Sequence, residues 1–322
     1  MSIKREPRLG DMPGFGIGCG SLANADGDGA FRGVVELAFE RGVRYFDTAA
    51  LYLGGLSERR LGEALAGRSH DEFIVSTKVG RTQTHSGSSI DPSGLRSSCD
   101  YSADATMRSV ETSLRQLGLD RLDIVMIHDL TRQLHGPSYD ERFDEAMAGA
   151  YEALVELRNA GTVGAIGVAT MDWTSCMDFA LAGDFDAFMP AGQYTLLHRE
   201  CGSLLDHCAA TGAAFLAASP FNSGILATGA VEGAFHNMQP AGSEALARVG
   251  AMEAICARHG VPLAAAALQF PTRHAVVSSI VVGSRTAAEL QRNLDLLDMP
   301  IPDELWTELD AEYAGTAAAR TI

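Results

Sequence analysis

Residues 43–78 of this chain, VRYFDTAALYLGGLSERRLGEALAGRSHDEFIVSTK, contain two short apolar segments separated by an amphipathic one. Val43–Asp47 and Phe73–Lys78 have the length of buried strands, and Ser57–Ala66 between them has apolar residues at helical spacing. Two buried strands joined by a helix are typical of a parallel sheet, because a parallel connection has to cross the sheet. This unit therefore predicts an α/β fold.

The same alternation of short apolar and longer amphipathic segments continues along the chain. Strands are predicted at Phe15–Gly20, Val43–Asp47, Phe73–Lys78, Ile124–His128, Val163–Val168, Ala187–Pro190, Ala213–Ala218 and Ser279–Gly283. Helices are predicted near Gly29–Arg41, Ser57–Ala66, Ala103–Leu117, Phe143–Ala160, Trp173–Ala182, Leu204–Thr211, Ser243–His259 and Ala287–Leu296. Eight strands, each followed by a helix, predict a single (β/α)8 TIM barrel domain over residues 1–322.

A doubly wound open sheet is the alternative α/β architecture. Its dinucleotide-binding half carries a G-x-G-x-x-G fingerprint, and Gly16-Ile17-Gly18-Cys19-Gly20 has the wrong spacing for one, so the barrel is favoured. Three long connections, Gly80–Tyr101, Asp129–Asp140 and Pro220–Gly242, each follow a predicted strand. In a barrel they lie on the C-terminal face, where active sites are found. Connections of this length without structure of their own are usually functional or mobile.

Composition and charge exclude several classes of protein. With 46% hydrophobic and 20% charged residues, the chain can bury a large core and is not a candidate for disorder. A formal charge of −16 argues against nucleic acid as a partner, because phosphates need a basic surface. The longest apolar runs, such as Val261–Phe270, are too short to span a membrane, and residues 1–10 show no secretory signal. We expect a cytoplasmic protein without a membrane partner, and the sequence does not predict its oligomeric state.

Cysteine and histidine patterns predict neither disulfides nor a metal site, whereas lysine usage is informative. Six cysteines are scattered without a C-x-x-C pair, which is typical of reduced, buried thiols. Nine histidines show no H-x-x-x-H or H-E-x-x-H spacing. Of 25 basic residues only two are lysine, Lys4 near the start and Lys78 at the end of a predicted strand. Lysine, unlike arginine, has a pKa that its surroundings shift, so Lys78 is a candidate functional residue, with a structural ion pair as the alternative.

Four polar residues lie at strand ends or just beyond them, namely Asp47, Tyr52, Lys78 and His128. A barrel would gather them at one mouth, because the C-terminal ends of its strands share one face. Free tyrosine titrates near ~10, and a nearby ammonium lowers that pKa, so Lys78, held by Asp47, would prepare Tyr52 for acid–base work. His128 would donate a hydrogen bond to a substrate oxygen. Such a set moves a proton on and off a carbonyl or hydroxyl, and since no side chain transfers hydride, a nicotinamide cofactor is implied.

The chain resembles the aldo-keto reductase superfamily almost from end to end. The resemblance is carried by YFDTA at residues 45–49, by Tyr52 followed by GLSE at 55–58, by STKVG at 76–80 and by IHD at 127–129. It implies a (β/α)8 barrel with a catalytic tetrad. In that tetrad Tyr52 is the general acid–base, Lys78 and Asp47 tune it, and His128 orients the substrate.

Further segments are similar to the branch of that superfamily that contains D-threo-aldose (L-fucose) dehydrogenases and pyridoxal 4-dehydrogenase. They are MIHDL at residues 126–130, GQYTLL at 192–197, PFNSGILA at 220–227 and AALQFP at 266–271. The branch implies oxidation of a cyclic hemiacetal, formed by an aldose such as L-fucose or by pyridoxal, to a lactone. The tetrad serves carbonyl reduction equally, so a general NADPH-dependent aldehyde or ketone reductase is the alternative. A cofactor-bound regulatory subunit without catalysis is the alternative of another class.

The resemblance also implies where an extended NAD or NADP would lie across the barrel mouth. Ala169, Thr170 and Gln193 would lie near the nicotinamide amide, and Gly20 and Asp47 would contact the cofactor too. The pyrophosphate would follow Ser219, Pro220, Phe221, Asn222, Gly224 and Leu226. The adenosine would be surrounded by Gly283, Ser284, Arg285, Glu289 and Asn293, near the N-terminus of the last predicted helix, where anions bind favourably.

Several positions depart from the superfamily's usual pattern. The segment Ala169-Thr170 replaces a frequent Ser-Asn pair, and Ala218 replaces an aromatic residue that commonly stacks on the nicotinamide. Gly283 and Glu289 stand where members that prefer the 2′-phosphate often carry Lys and Arg. An acidic Glu289 repels that phosphate and can accept from a ribose hydroxyl, so we expect NAD over NADP, although Arg285 leaves use of both open.

Overall fold

The computed structural model describes residues 9–10, 12–22, 27–84, 89–90 and 96–319, and in this part of the chain eight parallel strands close into a barrel. The barrel strands, numbered in chain order, are β1 (Phe15–Gly18), β2 (Tyr45–Asp47), β3 (Ile74–Val79), β4 (Leu122–His128), β5 (Val163–Thr170), β6 (Ala187–Pro190), β7 (Ala214–Ala218) and β8 (Val277–Gly283). Each strand pairs with the next, and β8 closes the barrel against β1. The predicted (β/α)8 TIM barrel is confirmed.

Helices connect the strands and pack around the barrel. The α-helices are Cys19–Leu22, Asp28–Glu40, Leu56–Leu65, Ala103–Leu117, Arg132–His135, Tyr139–Ala146, Glu152–Asn159, Trp173–Ala182, Gly202–Thr211, Ile225–Thr228, Ser243–Arg258, Leu263–Gln269, Ala287–Leu297 and Asp303–Ala319. Short 3₁₀ turns lie at His70–Glu72, Gly136–Ser138, Asn222–Gly224 and Pro271–Arg273, and the π-helical turn Met147–Tyr151 joins two of the helices. No helix within the described ranges is long and apolar enough to cross a membrane.

Some local expectations need correction. Strand β1 ends at Gly18 rather than Gly20, because the chain turns there into the short helix Cys19–Leu22. The apolar run at 261–270 contains an unpredicted helix, Leu263–Gln269, of which most side chains are buried. A helix buried on most sides lacks the alternation of polar and apolar faces by which helices are recognised in a sequence. Sequence analysis also misses the helix Asp303–Ala319.

The long connections after β3, β4 and β7 carry small elements of their own, which the sequence did not predict. Strands Arg81–Thr84, Ser89–Ile90 and Arg96–Cys99 form an antiparallel sheet in the connection after β3. The connection after β7 contains the two-stranded ribbon of Phe235–His236 and Gln239–Pro240. Because each connection starts at the carboxyl end of a barrel strand, all three border the same mouth of the barrel.

Side chains alternate between the inside and the outside of the barrel along each strand. On β4, Ile124 and Met126 belong to the apolar cluster inside the barrel, whereas Val125 and Ile127 pack between the strands and the helices. His128 follows in the same row as Ile124 and Met126. Its side chain therefore continues the inward-facing row at the carboxyl end of the strand.

The same rule explains the placement of Asp47 and Lys78. Tyr45 packs inside the barrel, so Asp47, two residues further along β2, faces inward too. Val79 packs against the helices, so Lys78 faces inward on β3. The strand register pairs Asp47 with Ser76, which shares the inward face with Lys78. The barrel thus gathers the polar residues of neighbouring strands at one end.

Candidate active site

A buried ion pair between Lys78 and Asp47 forms the centre of the site. The ammonium Nζ of Lys78 lies 2.9 and 2.7 Å from the two carboxylate oxygens of Asp47 and 2.8 Å from the carbonyl oxygen of Thr48. The side chains of Lys78 and Asp47 expose only 3% and 5% of their surface. Burial lowers the pKa of Lys78, but the charge of Asp47 and the contact with Tyr52 raise it more, so the net pKa lies above its ordinary value. Lys78 is therefore a cation at neutral pH.

Two hydroxyl groups hold Asp47 on its other side. Ser76 donates a hydrogen bond of 2.6 Å from Oγ to Oδ1 of Asp47. The hydroxyl of Tyr45 lies 2.9 Å from the same Oγ, and since Ser76 donates to Asp47, Tyr45 donates to Ser76. The position of Asp47 is thus set from both sides before any ligand binds.

Tyr52 places its hydroxyl on the free side of the Lys78 ammonium. The two groups are 3.2 Å apart, within hydrogen-bonding distance. Tyr52 lies in the turn between β2 and the helix Leu56–Leu65, where Gly54 and Gly55 have φ values of 61° and 84°. On the other side of the ring lies Gly20, where a Cβ would be 3.2 Å from two ring carbons of Tyr52. Few real Cβ atoms approach a neighbour that closely, so Gly20 makes room for the tyrosine ring.

Burial dominates the acidity of Tyr52. The ammonium of Lys78 lowers the pKa of Tyr52, as the sequence predicts, but the net shift of that pKa is upward. Burial raises the pKa of the phenol above its ordinary value of 10.0, and the positive charge of Lys78 offsets only part of that rise. The reason is that a phenolate inside the protein loses its hydration. Tyr52 therefore holds its proton at neutral pH.

His128 faces Tyr52 across the site, with ring centroids 6.0 Å apart and planes at 85°. Burial, together with the positive charges of Lys78 and Arg81, lowers the pKa of His128 well below 6.5. The imidazole is therefore neutral at pH 7. Its Nε2 lies 3.7 Å from Oδ2 of Asp129, and within the described ranges its buried Nδ1 has no hydrogen-bond partner. A neutral, incompletely bonded imidazole suits contact with an uncharged substrate oxygen.

The residues expected near the nicotinamide amide lie at the carboxyl ends of two adjacent strands. Ala169 and Thr170 end β5 and are buried, and Thr170 donates a hydrogen bond of 2.6 Å from Oγ1 to the carbonyl of Asp172. Gln193 lies in the turn after β6, where its backbone N–H donates to the carbonyl of Pro190 at 3.1 Å. The hydroxyl of Thr170 is thus already engaged within its own turn.

The connection after β7 is joined to the turn after β6 through Asn222. Its Nδ2 donates a hydrogen bond of 2.9 Å to the carbonyl of Gly192, whereas its buried Oδ1 has no partner in the described part of the chain. Ser219, Asn222 and Ser223 have φ values of 56°, 46° and 61°, which are uncommon for residues other than glycine. Pro220, Phe221, Gly224 and Leu226 lie in the same connection. Strained backbone and an unsatisfied buried amide oxygen together indicate a functional segment.

The residues expected around the adenosine lie at the end of β8 and in the first turns of the chain that follows it. Ser284 and Asn293 are buried, and Nδ2 of Asn293 donates to Oγ of Ser284 at 3.1 Å. Glu289 lies in the first turn of the helix Ala287–Leu297 and accepts a hydrogen bond of 2.8 Å from the backbone N–H of Arg285. The guanidinium of Arg285 lies 3.4 Å from the same carboxylate. The charge of Arg285 is therefore partly neutralised by Glu289.

The structure thus brings Asp47, Lys78 and Tyr52 into direct contact, with His128 and Gly20 beside them, and places the other candidates along the ends of β5 to β8. A family model described as the aldo/keto reductase family matches residues 16–314. The chain belongs to the aldo/keto reductase family. It is an oxidoreductase of a family that uses nicotinamide cofactors.

Two characterised relatives cover nearly the whole of this aldo/keto reductase. It is 38% identical over 315 residues to D-threo-aldose 1-dehydrogenase of a Pseudomonas species, a match that covers 92% of this chain and 93% of the relative. It is 33% identical over 322 residues to pyridoxal 4-dehydrogenase of Microbacterium luteolum, with coverage of 94% and 92%. Among solved structures, the holo form of an aldo-keto reductase from Bacillus halodurans has a TM-score of 0.74 at 22% identity, covering 97% of this chain and 96% of that one.

Sequence reasoning missed the residues that support the site of this aldo/keto reductase. Ser76 lies two residues before Lys78 on the same strand, so the alternation of β3 could have placed it beside Asp47. Glu58 is fully buried, accepts a hydrogen bond of 2.6 Å from Thr77, and so ties the helix after Tyr52 to β3. Arg81 forms an ion pair with Asp129, and no local sequence signal links these two residues.

Proposed function

We propose that this aldo/keto reductase is an NAD(P)-dependent dehydrogenase that oxidises the anomeric carbon of a cyclic hemiacetal, such as an aldose, to a lactone. The observation that carries the proposal is the continuous hydrogen-bonded chain from Asp47 through Lys78 to the hydroxyl of Tyr52. An acid–base group connected to a fixed cation is what reversible proton transfer at a hydroxyl oxygen requires. The 38% identity to D-threo-aldose 1-dehydrogenase supports the choice of an aldose.

In the proposed reaction Tyr52 moves the proton. Its phenolate accepts the proton of the anomeric hydroxyl while the hydrogen on the same carbon leaves with its electron pair, and the C–O bond becomes the lactone carbonyl. Lys78 stabilises the phenolate, because its ammonium lies 3.2 Å from that oxygen and is itself held by Asp47 and the carbonyl of Thr48. His128, being neutral, donates a hydrogen bond to the substrate oxygen and orients it. When bound, the nicotinamide supplies the acceptor for the hydride.

The residues at the ends of β5 to β8 fit a nicotinamide dinucleotide. The test is Asn222, whose buried Oδ1 faces no donor within the described ranges and matches a ribose hydroxyl beside the pyrophosphate. We propose that Asn222 and the backbone of Ser219 and Gly224 hold the middle of the cofactor. Ala169, Thr170 and Gln193 would hold the nicotinamide end together with Gly20 and Asp47. The adenosine end would be held by Gly283, Ser284, Arg285, Glu289 and Asn293.

We propose NAD rather than NADP as the preferred cofactor. Glu289 places a carboxylate in the first turn of the helix Ala287–Leu297 and already accepts from the backbone of Arg285. A 2′-phosphate there would meet that negative charge. Glu289→Ala is expected to lower the NAD-to-NADP ratio of kcat/KM by about tenfold, which corresponds to roughly 1.4 kcal/mol. A wild-type enzyme that prefers NADP would contradict the assignment.

The function is tested by mixing the enzyme with NAD or NADP and following the absorbance of the reduced nicotinamide with L-fucose, D-arabinose, L-galactose and pyridoxal. Oxidation of at least one sugar, lost in Tyr52→Phe, is the expected result. Pyridoxal is a second candidate substrate, because the 33% identical relative is named for it. If all four compounds are inert and NADPH drives reduction of simple aldehydes instead, the enzyme is a general reductase and the proposal is wrong.

We also propose that residues 1–322 form one domain and that the enzyme works in the cytoplasm. All six cysteines are free thiols, and five of them are buried. Burial raises the pKa of Cys19 well above its ordinary value, which suppresses the reactive thiolate. Unpaired, unreactive thiols fit a reducing compartment.

A further inference from the structure

Arg81 and Asp129 form an ion pair beside the proposed site that the reaction described above does not use. Nη1 of Arg81 lies 2.6 Å from Oδ2 of Asp129. Their side chains remain 20% and 17% exposed, whereas those of Lys78 and Asp47 are almost completely enclosed. The Arg81–Asp129 pair is therefore partly accessible to solvent.

The backbone of Asp129 is shaped to keep its carboxylate next to His128. Continued alternation along β4 would turn residue 129 away from the barrel interior. Instead Asp129 has a φ of 49°, a conformation that Asp and Asn tolerate better than most residues. Its backbone N–H remains bonded to the carbonyl of Ala169 at 2.8 Å, so the bend is anchored to β5. As a result Oδ2 of Asp129 lies 3.7 Å from Nε2 of His128.

The pair has unused hydrogen-bonding capacity of both kinds. A carboxylate offers roughly four acceptor positions, and the structure fills two of those of Asp129, with Arg81 and the backbone amide of Met171. Arg81 also has a buried Nε without a hydrogen-bond partner in the described part of the chain. The free acceptor positions of Asp129 match the O–H of a hydroxyl group.

We infer that Asp129, backed by Arg81, binds the hydroxyl on the carbon next to the reacting carbon, and so selects sugars that carry this 2-hydroxyl. The inference rests on the proposed hemiacetal oxidation, in which His128 contacts the anomeric oxygen. Oδ2 of Asp129 lies only 3.7 Å from His128 Nε2, which suits two oxygens on adjacent carbons. In an aldose ring the anomeric and 2-hydroxyl groups have this relationship. In the pyridoxal hemiacetal the nearest hydroxyl is one carbon further away, so the geometry favours the sugar.

The experiment compares matched sugars with and without the 2-hydroxyl. The pairs are L-fucose with 2-deoxy-L-fucose, L-galactose with 2-deoxy-L-galactose, and D-arabinose with 2-deoxy-D-ribose. The wild-type enzyme is expected to favour the hydroxylated sugar in kcat/KM by about 10- to 100-fold, the range of one hydrogen bond to a charged group. In Asp129→Ala this preference should fall close to one, and in Asp129→Asn it should be intermediate, because a neutral amide bonds more weakly.

Asp123→Asn is the matched control. Asp123 lies on the same strand, is 15% exposed and is paired with Arg121 at 2.7 Å, but it sits at the opposite end of β4. Its variant should keep the wild-type preference even if it loses stability. Because each comparison is a ratio of two sugars in one variant, general damage to folding cancels.

The remaining outcomes separate the inference from the proposed function. If the wild-type enzyme oxidises both sugars of a pair equally well, hemiacetal oxidation stands and the role of Asp129 is refuted. The same holds if Asp129→Ala slows both sugars by the same factor, because the ion pair is then structural. If the wild-type enzyme oxidises none of the sugars, the inference fails, and the proposed function fails with it when pyridoxal is inert too.

Discussion

Replacing Lys78 with methionine tests the central ion pair most directly. The side chain keeps its approximate length and shape, but the ammonium that contacts both oxygens of Asp47, the carbonyl of Thr48 and the hydroxyl of Tyr52 is lost. Asp47 is then left as a buried carboxylate with Ser76 as its remaining side-chain donor in the described structure. Removing one partner of such a buried pair costs about 3–5 kcal/mol of unfolding free energy.

The magnitude can be checked with a double-mutant cycle. Asp47→Asn alone should cost about as much as Lys78→Met, because it leaves an uncompensated buried ammonium. The double variant has no unpaired charge, so its cost should fall below the sum of the singles by about 2–3 kcal/mol. Urea unfolding at pH 7, followed by both fluorescence and circular dichroism, measures each free energy.

The pH dependence of the cycle gives an independent check. In the wild type Lys78 stays charged, because its pKa lies above the ordinary 10.5, and its stabilising contribution is lost only when the pH rises beyond that value. In Lys78→Met, the lone buried carboxylate of Asp47 should have a raised pKa and take up a proton in acid. The stability gap to the wild type should therefore widen between pH 5 and pH 8. Additive free energies in the cycle, with a gap that does not change with pH, would refute the reasoning.

Three further predictions concern catalysis. Tyr52→Phe should lower kcat/KM by about 10²- to 10⁴-fold while changing the unfolding free energy by no more than about 1.5 kcal/mol. A much larger decrease in the unfolding free energy would show that the activity is lost through misfolding instead. Because burial raises the pKa of Tyr52 and lowers that of His128 well below 6.5, the log of kcat/KM for oxidation should keep rising through pH 9 without a step near pH 6.5. A plateau from pH 7 upwards would contradict this. Gly20→Ala should lower kcat/KM by about tenfold, because the added Cβ displaces the Tyr52 ring and catalysis is sensitive to small shifts of the reacting groups. Gly33→Ala is the control: a Cβ there meets no atom within 4 Å, so activity should be unchanged.

The barrel was predictable because each of its units repeats the same signals. Short apolar runs alternate with amphipathic helices, and the long connections fall after strands, where a barrel tolerates them. Once the strands are parallel and closed, the positions of Asp47, Lys78 and His128 at strand ends put them on one face. Their inward direction follows from the two-residue alternation of each strand. The contact among Asp47, Lys78 and Tyr52 could therefore be predicted from the barrel topology and the short turn that carries Tyr52.

Features that depend on burial or on contacts between distant segments were not predictable in this way. The net pKa shift of Tyr52 depends on how completely the ring is enclosed, and the sequence shows only its charged neighbour Lys78. The sheet of Arg81–Thr84, Ser89–Ile90 and Arg96–Cys99 pairs short polar segments, which give little strand signal of their own. The approach of Asp129 to Arg81 depends on a backbone bend at residue 129, which a general strand pattern does not reveal.

The scarcity of lysine has a practical consequence. The chain contains Lys4 and Lys78 as its lysines, and Lys78 is enclosed, with its ammonium occupied by hydrogen bonds. Reagents that couple to primary amines therefore find the ammonium of Lys78 shielded. Dyes or solid supports attached through amine chemistry would therefore leave the catalytic lysine unmodified, so labelled or immobilised enzyme should keep its central ion pair.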